Sequence, residues 1–362
     1  MEIETIKCDI CNYQGSYPDG LTYHFHPELD IGGVPMNIWS PKYNIFKFSN
    51  CNLSDLIPNS DEIIQQGEGN TPLIRISELS NNFEVYLKNE GKNPTGSFKD
   101  RGMPYLISYV KKRGHNKIAI PSTGNAAISL IHYANLADLD TLVFVPESLS
   151  NEKKDLLGHN IVFDKDLIES YEHFFEFCKK NHDVYNAFLA TNIPYLQGLK
   201  SIAYETYQQL DYTCPDWLVI PVGSGGNLVS QYNGFKDLLD LGLIEKLPQI
   251  VSVQIKGADP ITVGYALEQY NKVIVLEDLI ESRAEAIASD TCFNYFKIMD
   301  ALNKTKGLAV SVTDEEIQKT KKSLPSLEFA SCSVYAALSK LKHIKPNEKV
   351  VLIGTSMQRE EN

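Results

Sequence analysis

Short apolar runs rich in β-branched residues alternate with longer amphipathic segments from about residue 84 onwards. The runs lie at 84–88, 117–120, 141–145, 161–163, 217–222, 250–255 and 350–353. The segments between them predict helices at about 126–137, 166–181, 199–209, 227–241, 314–323 and 333–341. Nearly uncharged strands that alternate with helices are typical of βαβ units, in which helices cover both faces of a parallel sheet. We therefore predict an α/β fold.

The length and composition limit the classes of function. The chain has 362 residues, with 34 Lys plus Arg against 46 Asp plus Glu, for a formal net charge of -12. This acidic balance argues against a protein that wraps nucleic acid, so small molecules are the expected partners. With 43% hydrophobic residues, the chain has enough apolar material for two domains.

The chain has no signal for a membrane or for secretion. No stretch approaches about 18 consecutive apolar residues, and the start, Met1 to Glu4, is acidic and unlike a signal peptide. The seven cysteines are odd in number and widely spread, which argues against a disulfide framework. We expect a cytoplasmic protein that makes no membrane contact.

Changes in composition and periodicity along the chain predict its domains. Residues 1–60 are rich in aromatic residues and show no long helical period, which indicates an irregular N-terminal extension. We expect one doubly wound parallel-sheet domain, the larger, from 61–94 with 206–362. A second, smaller one is expected from 95–205.

A glycine-rich turn follows the apolar run at 217–222 and precedes a predicted helix. Its residues are Gly223, Ser224, Gly225, Gly226 and Asn227. Glycines let several backbone N–H groups face one point, and the helix dipole adds positive potential, so the turn suits a phosphate. It has neither the Lys-Ser/Thr of a Walker loop nor dinucleotide G-x-G-x-x-G spacing. The phosphate of pyridoxal 5′-phosphate (PLP) fits; a glycine-rich turn with no ligand is the alternative.

A second turn also joins a predicted strand to a helix. It comprises Ser122, Thr123, Gly124 and Asn125. Its hydroxyl and backbone N–H groups suit a carboxylate, and the Asn125 amide suits a phenolic oxygen. A helix N-cap is the alternative, and the segment taken alone favours it.

Lys99 follows a turn marked by Pro94 and Gly96. It is expected in the first turn of a helix, where the dipole disfavours a cation and lowers the pKa of the amine. A lysine that is so placed and also partly desolvated is a candidate Schiff-base nucleophile. A solvated or ion-paired surface lysine is the alternative, and for an isolated segment it is the more common case.

Together these segments resemble the threonine synthases, which belong to the fold-type-II group of PLP-dependent enzymes, the tryptophan synthase β-like superfamily. The run 93–102 is similar to the cofactor-lysine segment of that family, and 122–127, 221–228 and 310–316 follow in the family order. The likeness spans roughly residues 65–356. It implies two α/β domains of PLP fold type II, and by analogy a homodimer.

The resemblance assigns cofactor contacts. It implies that Lys99 forms the Schiff base with PLP, that Asn125 contacts the ring hydroxyl oxygen, and that residues 223–227 hold the phosphate. Thr355 is the candidate contact of the pyridine nitrogen, with Ser356 as the alternative. A neutral hydroxyl there does not hold the nitrogen protonated, which makes the ring a weaker electron sink and favours elimination.

The resemblance also assigns substrate contacts and a reaction. Residues 122–125 would bind the substrate α-carboxylate, and Ser97, Arg101 and Lys200 would contact the leaving group. The implied activity is a lyase of amino-acid biosynthesis that converts O-phosphohomoserine to threonine by elimination and water addition. The alternatives are β-replacement on O-phosphoserine or a serine derivative, as in cysteate synthase-like enzymes, threonine or serine deamination, and a non-catalytic binding protein.

The chain departs from the family pattern in places. The tail 354–359 lacks the usual Thr-Gly and the later Gly-Leu-Lys-Asp, Phe329 stands where Pro is common, and 282–284 replaces a Thr-bearing turn. Related enzymes often begin with two C-x-x-C pairs, whereas here the set is Cys8, Cys11, His24 and His26. We favour a decayed ribbon held by aromatic packing over a Cys₂His₂ zinc site, and predict no metal.

Overall fold

A computed structural model describes most of the chain after residue 62 and three short strands before it. The described residues are 5–8, 14–16, 39–41, 63–79, 82–149, 151–158, 160–322 and 326–358. Cys11, His24 and His26 lie outside these ranges, so the zinc hypothesis stays a prediction. No helix within these ranges is long and apolar enough to cross a membrane.

The strands form three sheets. They are β1 (Thr5–Cys8), β2 (Gln14–Ser16), β3 (Trp39–Pro41), β4 (Leu73–Arg75), β5 (Glu84–Asn89), β6 (Lys117–Pro121), β7 (Asp140–Pro146), β8 (Ile161–Asp164), β9 (Val184–Asn186), β10 (Trp217–Pro221), β11 (Gln249–Ile255), β12 (Leu308–Val312) and β13 (Lys349–Gly354). A six-stranded sheet has the order β12-β11-β10-β13-β5-β4 and a four-stranded sheet the order β8-β7-β6-β9. A small antiparallel sheet has the order β2-β1-β3.

Helices connect the parallel strands. They are α1 (Met103–Lys112), α2 (Asn125–Leu136), α3 (Asn151–Leu157), α4 (Leu167–Lys180), α5 (Ile193–Leu199), α6 (Ser201–Gln209), α7 (Gly226–Asp240), α8 (Pro260–Ala266), α9 (Tyr295–Thr305), α10 (Asp314–Lys321) and α11 (Ser333–Leu338). The predicted α/β fold with two parallel sheets is confirmed, although β4 pairs antiparallel with β5 at the edge of the larger sheet. The division into domains stays a prediction.

The larger sheet has a core on each face, and its central strand β10 is apolar at every position. In β10, Leu218 and Ile220 pack into one core cluster, whereas Trp217 and Val219 pack into another. Successive side chains of a strand point to opposite faces, so a continuous apolar run serves two helix layers at once. This packing fixes the sheet and leaves the loops at the carboxyl ends of the strands to carry chemistry.

Candidate active site

Lys99 lies in a 3₁₀ turn, Phe98–Arg101, that immediately precedes α1. Backbone hydrogen bonds join this region to the segment after β13. The Phe98 N–H donates to the Thr355 carbonyl at 2.8 Å, and the Met357 N–H donates to the Gly96 carbonyl at 3.0 Å. Gly96 has φ +84°, a conformation that side-chain-bearing residues rarely adopt. The lysine therefore projects from a turn that is held by distant parts of the chain.

Burial changes the chemistry of Lys99. Burial lowers the pKa of its amine from 10.5 to about 8, against the opposing effect of the Glu328 carboxylate. The direction agrees with the prediction, which named the helix dipole and partial desolvation; desolvation by burial is the main cause here. An amine with this pKa is neutral in a useful fraction of molecules near physiological pH, as a nucleophile or base requires.

The phosphate turn lies between the end of β10 and the start of α7. Gly225 has φ +87°, and a Cβ there would lie 2.5 Å from Ile298 Cδ1 and 2.8 Å from Asn294 Cβ. The Asn294 amide also donates to the Ser224 carbonyl at 2.7 Å. One side of the turn is thus packed against other residues. The first N–H groups of α7 have no acceptor within the helix itself. This arrangement suits an anion.

Asn227 has a buried donor without an acceptor. Its Oδ1 accepts from Gln231 Nε2 at 2.9 Å, while its Nδ2 has no hydrogen-bond partner within the described part of the chain. Leaving a buried donor unpaired costs about 1–3 kcal/mol. Since Asn227 is in the first turn of α7, an anion bound at this helix start would remove that cost.

The turn 122–125 joins β6 to α2, which begins at Asn125. Gly124 is the N-cap residue, and no side chain caps the helix. The side-chain N-cap of the alternative is therefore not formed, although the Ser122 hydroxyl accepts from the Gly124 N–H at 3.4 Å. The Asn125 Nδ2 instead donates to Glu328 Oε2 at 3.1 Å. This hydrogen bond joins the helix that follows β6 to the segment before α11. The helix start keeps its capacity to bind a carboxylate.

The two tail residues predicted at the pyridine nitrogen lie in one cluster of buried hydroxyls. The Thr355 hydroxyl lies 2.8 Å from Ser331 Oγ, and the Ser356 N–H donates to Ser331 Oγ at 2.9 Å. The Ser356 hydroxyl donates to Glu328 Oε2. Sequence reasoning missed the contributions of Ser331 and Glu328. Which hydroxyl faces the pyridine nitrogen stays a prediction.

The two cations predicted at the leaving group are engaged elsewhere. The buried Arg101 guanidinium pairs with Glu90 Oε1 and Glu205 Oε2, each at 2.7 Å. The Lys200 amine pairs with Asp237 Oδ2 at 2.8 Å. Since a substrate contact would break these pairs, we correct the prediction and remove both residues from the proposed substrate set. Ser97 stays in it, because its buried Oγ has no partner among the described residues.

Comparison with known proteins decides the family. The family model for pyridoxal-phosphate dependent enzymes matches residues 64–356. The chain belongs to this family. Threonine synthase of Methanocaldococcus jannaschii is 34% identical over 319 residues, which cover 83% of this chain and 78% of that protein. Threonine synthase of Methanosarcina acetivorans is 33% identical over 316 residues, 83% of this chain and 77% of that protein.

Solved structures of the PLP-dependent family share the fold. The processed form of threonine deaminase isoform 2 from Solanum lycopersicum matches with a TM-score of 0.71 and 21% identity, covering 93% of this chain and 95% of that chain. Maize serine racemase matches with a TM-score of 0.69 and 18% identity, covering 80% of this chain and 88% of that chain. The predicted resemblance to threonine synthases, fold type II and the PLP cofactor are confirmed, and the chain is a PLP-dependent lyase of the threonine synthase-like kind.

The described residues fit PLP. The amine of Lys99, with its lowered pKa, suits the aldehyde of PLP. The uncapped helix start of α7 and the unpaired Asn227 amide suit its phosphate. The buried hydroxyls of Thr355 and Ser356 suit the pyridine nitrogen. These assignments remain proposals for individual residues of this PLP-dependent enzyme.

Gly225→Ala tests the phosphate turn. The left-handed conformation alone costs a residue with a side chain about 1–2 kcal/mol, and the new Cβ would also collide with Ile298 and Asn294. We expect PLP affinity to fall by about tenfold or more, measured by titrating the apoprotein with PLP. Gly242→Ala is the control, because Gly242 has φ +70° but no described atom within 4 Å of the place where a Cβ would lie. Equal losses in both variants would contradict the role of the turn.

Proposed function

We propose that this lyase converts O-phosphohomoserine, or a similar amino acid with an activated side chain, to threonine by elimination and water addition. The observation that carries the proposal is the Lys99 amine, with its pKa lowered to about 8, on a turn held by the segment after β13. Support for the reaction comes from relatives named threonine synthase, with 34% and 33% identity. PLP, when bound, supplies the electron sink for loss of the α-proton.

Each part of the site has a task in this reaction. The Lys99 amine removes the proton from the substrate α-carbon, since its lowered pKa makes it a base near neutral pH. The start of α2, which no side chain caps, holds the substrate carboxylate with the N–H groups of its first turn. Residues 223–227 hold the cofactor phosphate, and the buried Ser97 hydroxyl contacts the substrate side chain.

The pH dependence of cofactor attachment tests Lys99. Its amine reacts only when neutral, so the rate at which PLP joins the apoprotein should rise with pH and level off above about pH 8, following the lowered pKa of Lys99. Stopped-flow absorbance measures that rate. Glu328→Gln should move the midpoint to lower pH, because the Glu328 carboxylate raises the pKa of this amine. A rate that still rises steeply near pH 10 would mean that the amine is solvated.

One observation favours a second candidate function. Arg101 and Lys200, the cations predicted for the leaving group, are both paired with carboxylates, and Glu328 adds a negative charge near Lys99. A doubly charged phosphate gains nothing from such surroundings. An uncharged leaving group is the alternative, as in deamination of threonine or serine or β-replacement on a serine derivative. O-phosphoserine, by the same reasoning, is the less favoured substrate for replacement.

Assays on the purified holoenzyme separate these reactions. O-phosphohomoserine is tested for release of phosphate and formation of threonine, and threonine and serine are tested for release of a 2-oxo acid. A serine derivative supplied with sulfite or an amine is tested for a new β-substituted product. Phosphate release with threonine formation supports the first proposal, and its absence beside 2-oxo acid release or β-substitution replaces it with the second.

Three further properties belong to the proposal by analogy with the family. We carry forward a homodimer, a cytoplasmic location and the predicted division into domains. The oligomeric state is measured by light scattering of the holoenzyme.

A further inference from the structure

Glu328 lies where the predicted cofactor contacts meet, and it has no assigned role in the reaction. The Asn125 amide and the Ser356 hydroxyl both donate to its Oε2 atom, and its carboxylate acts on the Lys99 amine. Asn125 begins the helix after β6, in the four-stranded sheet, whereas Ser356 follows β13, in the six-stranded sheet. Glu328 therefore joins contacts that come from two different sheets.

The direction of the hydrogen bond between Ser356 and Glu328 follows from the chemistry of the groups. An ionised carboxylate has no proton to donate, so the Ser356 O–H points at Glu328. Ser356 is only 3% exposed, so bulk water does not compete for its proton. What the Ser356 oxygen offers to any further neighbour is a lone pair, which accepts a hydrogen bond.

The backbone fixes Ser356 in this orientation. The Glu328 N–H donates to the Ser356 carbonyl at 3.1 Å, and the Ser356 N–H donates to Ser331 Oγ at 2.9 Å. The Ser331 hydroxyl also lies 3.2 Å from the Ser356 hydroxyl. With both peptide groups of Ser356 held, its side chain has little freedom to turn away from Glu328.

We propose that Glu328 is a positioning residue that turns the Ser356 hydroxyl into an acceptor for the pyridine nitrogen of bound PLP, and thereby favours the protonated nitrogen. The ring N–H donates to Ser356 Oγ, and the Ser356 O–H donates to Glu328; the proton comes from solvent and no electrons are transferred. This inference rests on the proposed cofactor contacts. It reverses the expectation from the family resemblance, in which a neutral hydroxyl leaves the nitrogen unprotonated.

The consequence is a stronger electron sink than a lone hydroxyl provides. A protonated ring nitrogen draws negative charge from the substrate α-carbon, so a carbanion at that carbon lives longer. Glu328 thus affects how long the substrate stays activated without contacting it. The negative charge of the carboxylate also stabilises the positive charge on the ring, which strengthens the effect in a buried site.

Nitrogen-15 NMR of holoenzyme loaded with PLP labelled at the ring nitrogen tests this proposal. In the unaltered enzyme we expect the resonance of a protonated pyridine. In Glu328→Gln the negative charge that stabilises the protonated ring is gone, and the amide can present its N–H to the Ser356 oxygen, so the resonance should move to the unprotonated position. Glu245→Gln is the matched control, because Glu245 is exposed in the connection before β11, at the opposite end of that strand from the site; its resonance should stay unchanged.

Ser356→Ala provides an independent arm that does not depend on the folding of the Glu328 variant. It removes the acceptor and keeps the carboxylate, so the resonance should again move to the unprotonated position. An unprotonated ring nitrogen in the unaltered enzyme overturns the proposal. A ring nitrogen that stays protonated in either variant also overturns it, and would place Thr355 at the nitrogen. Turnover assays are read separately: an enzyme inactive on every substrate tested but with the expected resonances refutes the proposed function and retains the role of Glu328.

Discussion

Lys99→Ala is expected to lower turnover by about 10³-fold or more, since a positioned base alone contributes about 10²–10⁴-fold and this lysine also forms the proposed covalent link to PLP. The loss should occur without unfolding, because within the described ranges the amine makes no ion pair that supports the core; its aromatic neighbour is the Phe98 ring, 4.5 Å away. Turnover is measured on whichever substrate the assays above identify.

A second measurement locates the covalent link. Borohydride should fix PLP to the unaltered protein and leave none attached to Lys99→Ala, as detected by mass spectrometry of the denatured chain. Lys92→Ala is the control, because Lys92 is exposed and lies on the same segment. Full activity in Lys99→Ala, or fixation at another lysine, would refute the assignment.

Glu90→Gln is expected to cost about 3–5 kcal/mol of the free energy of unfolding, because it removes one of the two carboxylates that neutralise the buried Arg101 charge. The Arg101 guanidinium donates to both oxygens of Glu90, from Nη2 at 2.7 Å and from Nε at 2.8 Å. Thr71 and Asn93 also donate to the same carboxylate, at 2.7 Å and 2.8 Å. Arg101 belongs to the 3₁₀ turn that carries Lys99, so the variant should weaken PLP binding as well.

Denaturation by urea, followed by circular dichroism, measures this loss. Asp240→Asn is the control, because Asp240 pairs with Lys236 at an exposed i,i+4 position, where such pairs contribute less than about 1 kcal/mol. Acid should act in the same direction as Glu90→Gln. Burial raises the pKa of Glu90, but the Arg101 charge more than offsets this effect and holds the pKa of Glu90 below 4.5. The stabilisation by this ion pair is therefore present above pH 4.5 and is lost as the pH falls through the lowered pKa. Equal costs for both variants would contradict the burial argument.

Much of the fold followed from periodicity because buried parallel strands are continuous apolar runs. Every one of the seven predicted runs coincides with a strand, from β5 to β13. The pattern missed β4 and β9, which have only three residues each, too few for a period to be visible. It also missed β12, a five-residue strand at the edge of the larger sheet. The helices that were not predicted are α1, α3, α5, α8 and α9. In α1, which begins directly after the Lys99 turn with Pro104 at its start, the glycine and proline residues nearby indicated a turn.

The site divides along similar lines. The sequence could predict the roles of Lys99 and of the turns at 122–125 and 223–227, because in each case the residues concerned are neighbours along the chain. The pairing of Arg101 with Glu205 and of Lys200 with Asp237 depends on residues that are remote along the chain. No local pattern signals which cation will be neutralised. Glu328 was missed for the same reason, since its partners Asn125 and Ser356 come from other elements.

The order of strands in the larger sheet has a consequence for the synthesis of the protein. β5, which is made early, pairs on one side with β13, which is made after every other described strand. A nascent chain that has emerged as far as β9 already contains the whole four-stranded sheet, whereas β5 has only β4 beside it. Domains fold as units during synthesis. We therefore expect that the nascent chain can bind PLP only after β13 has been translated.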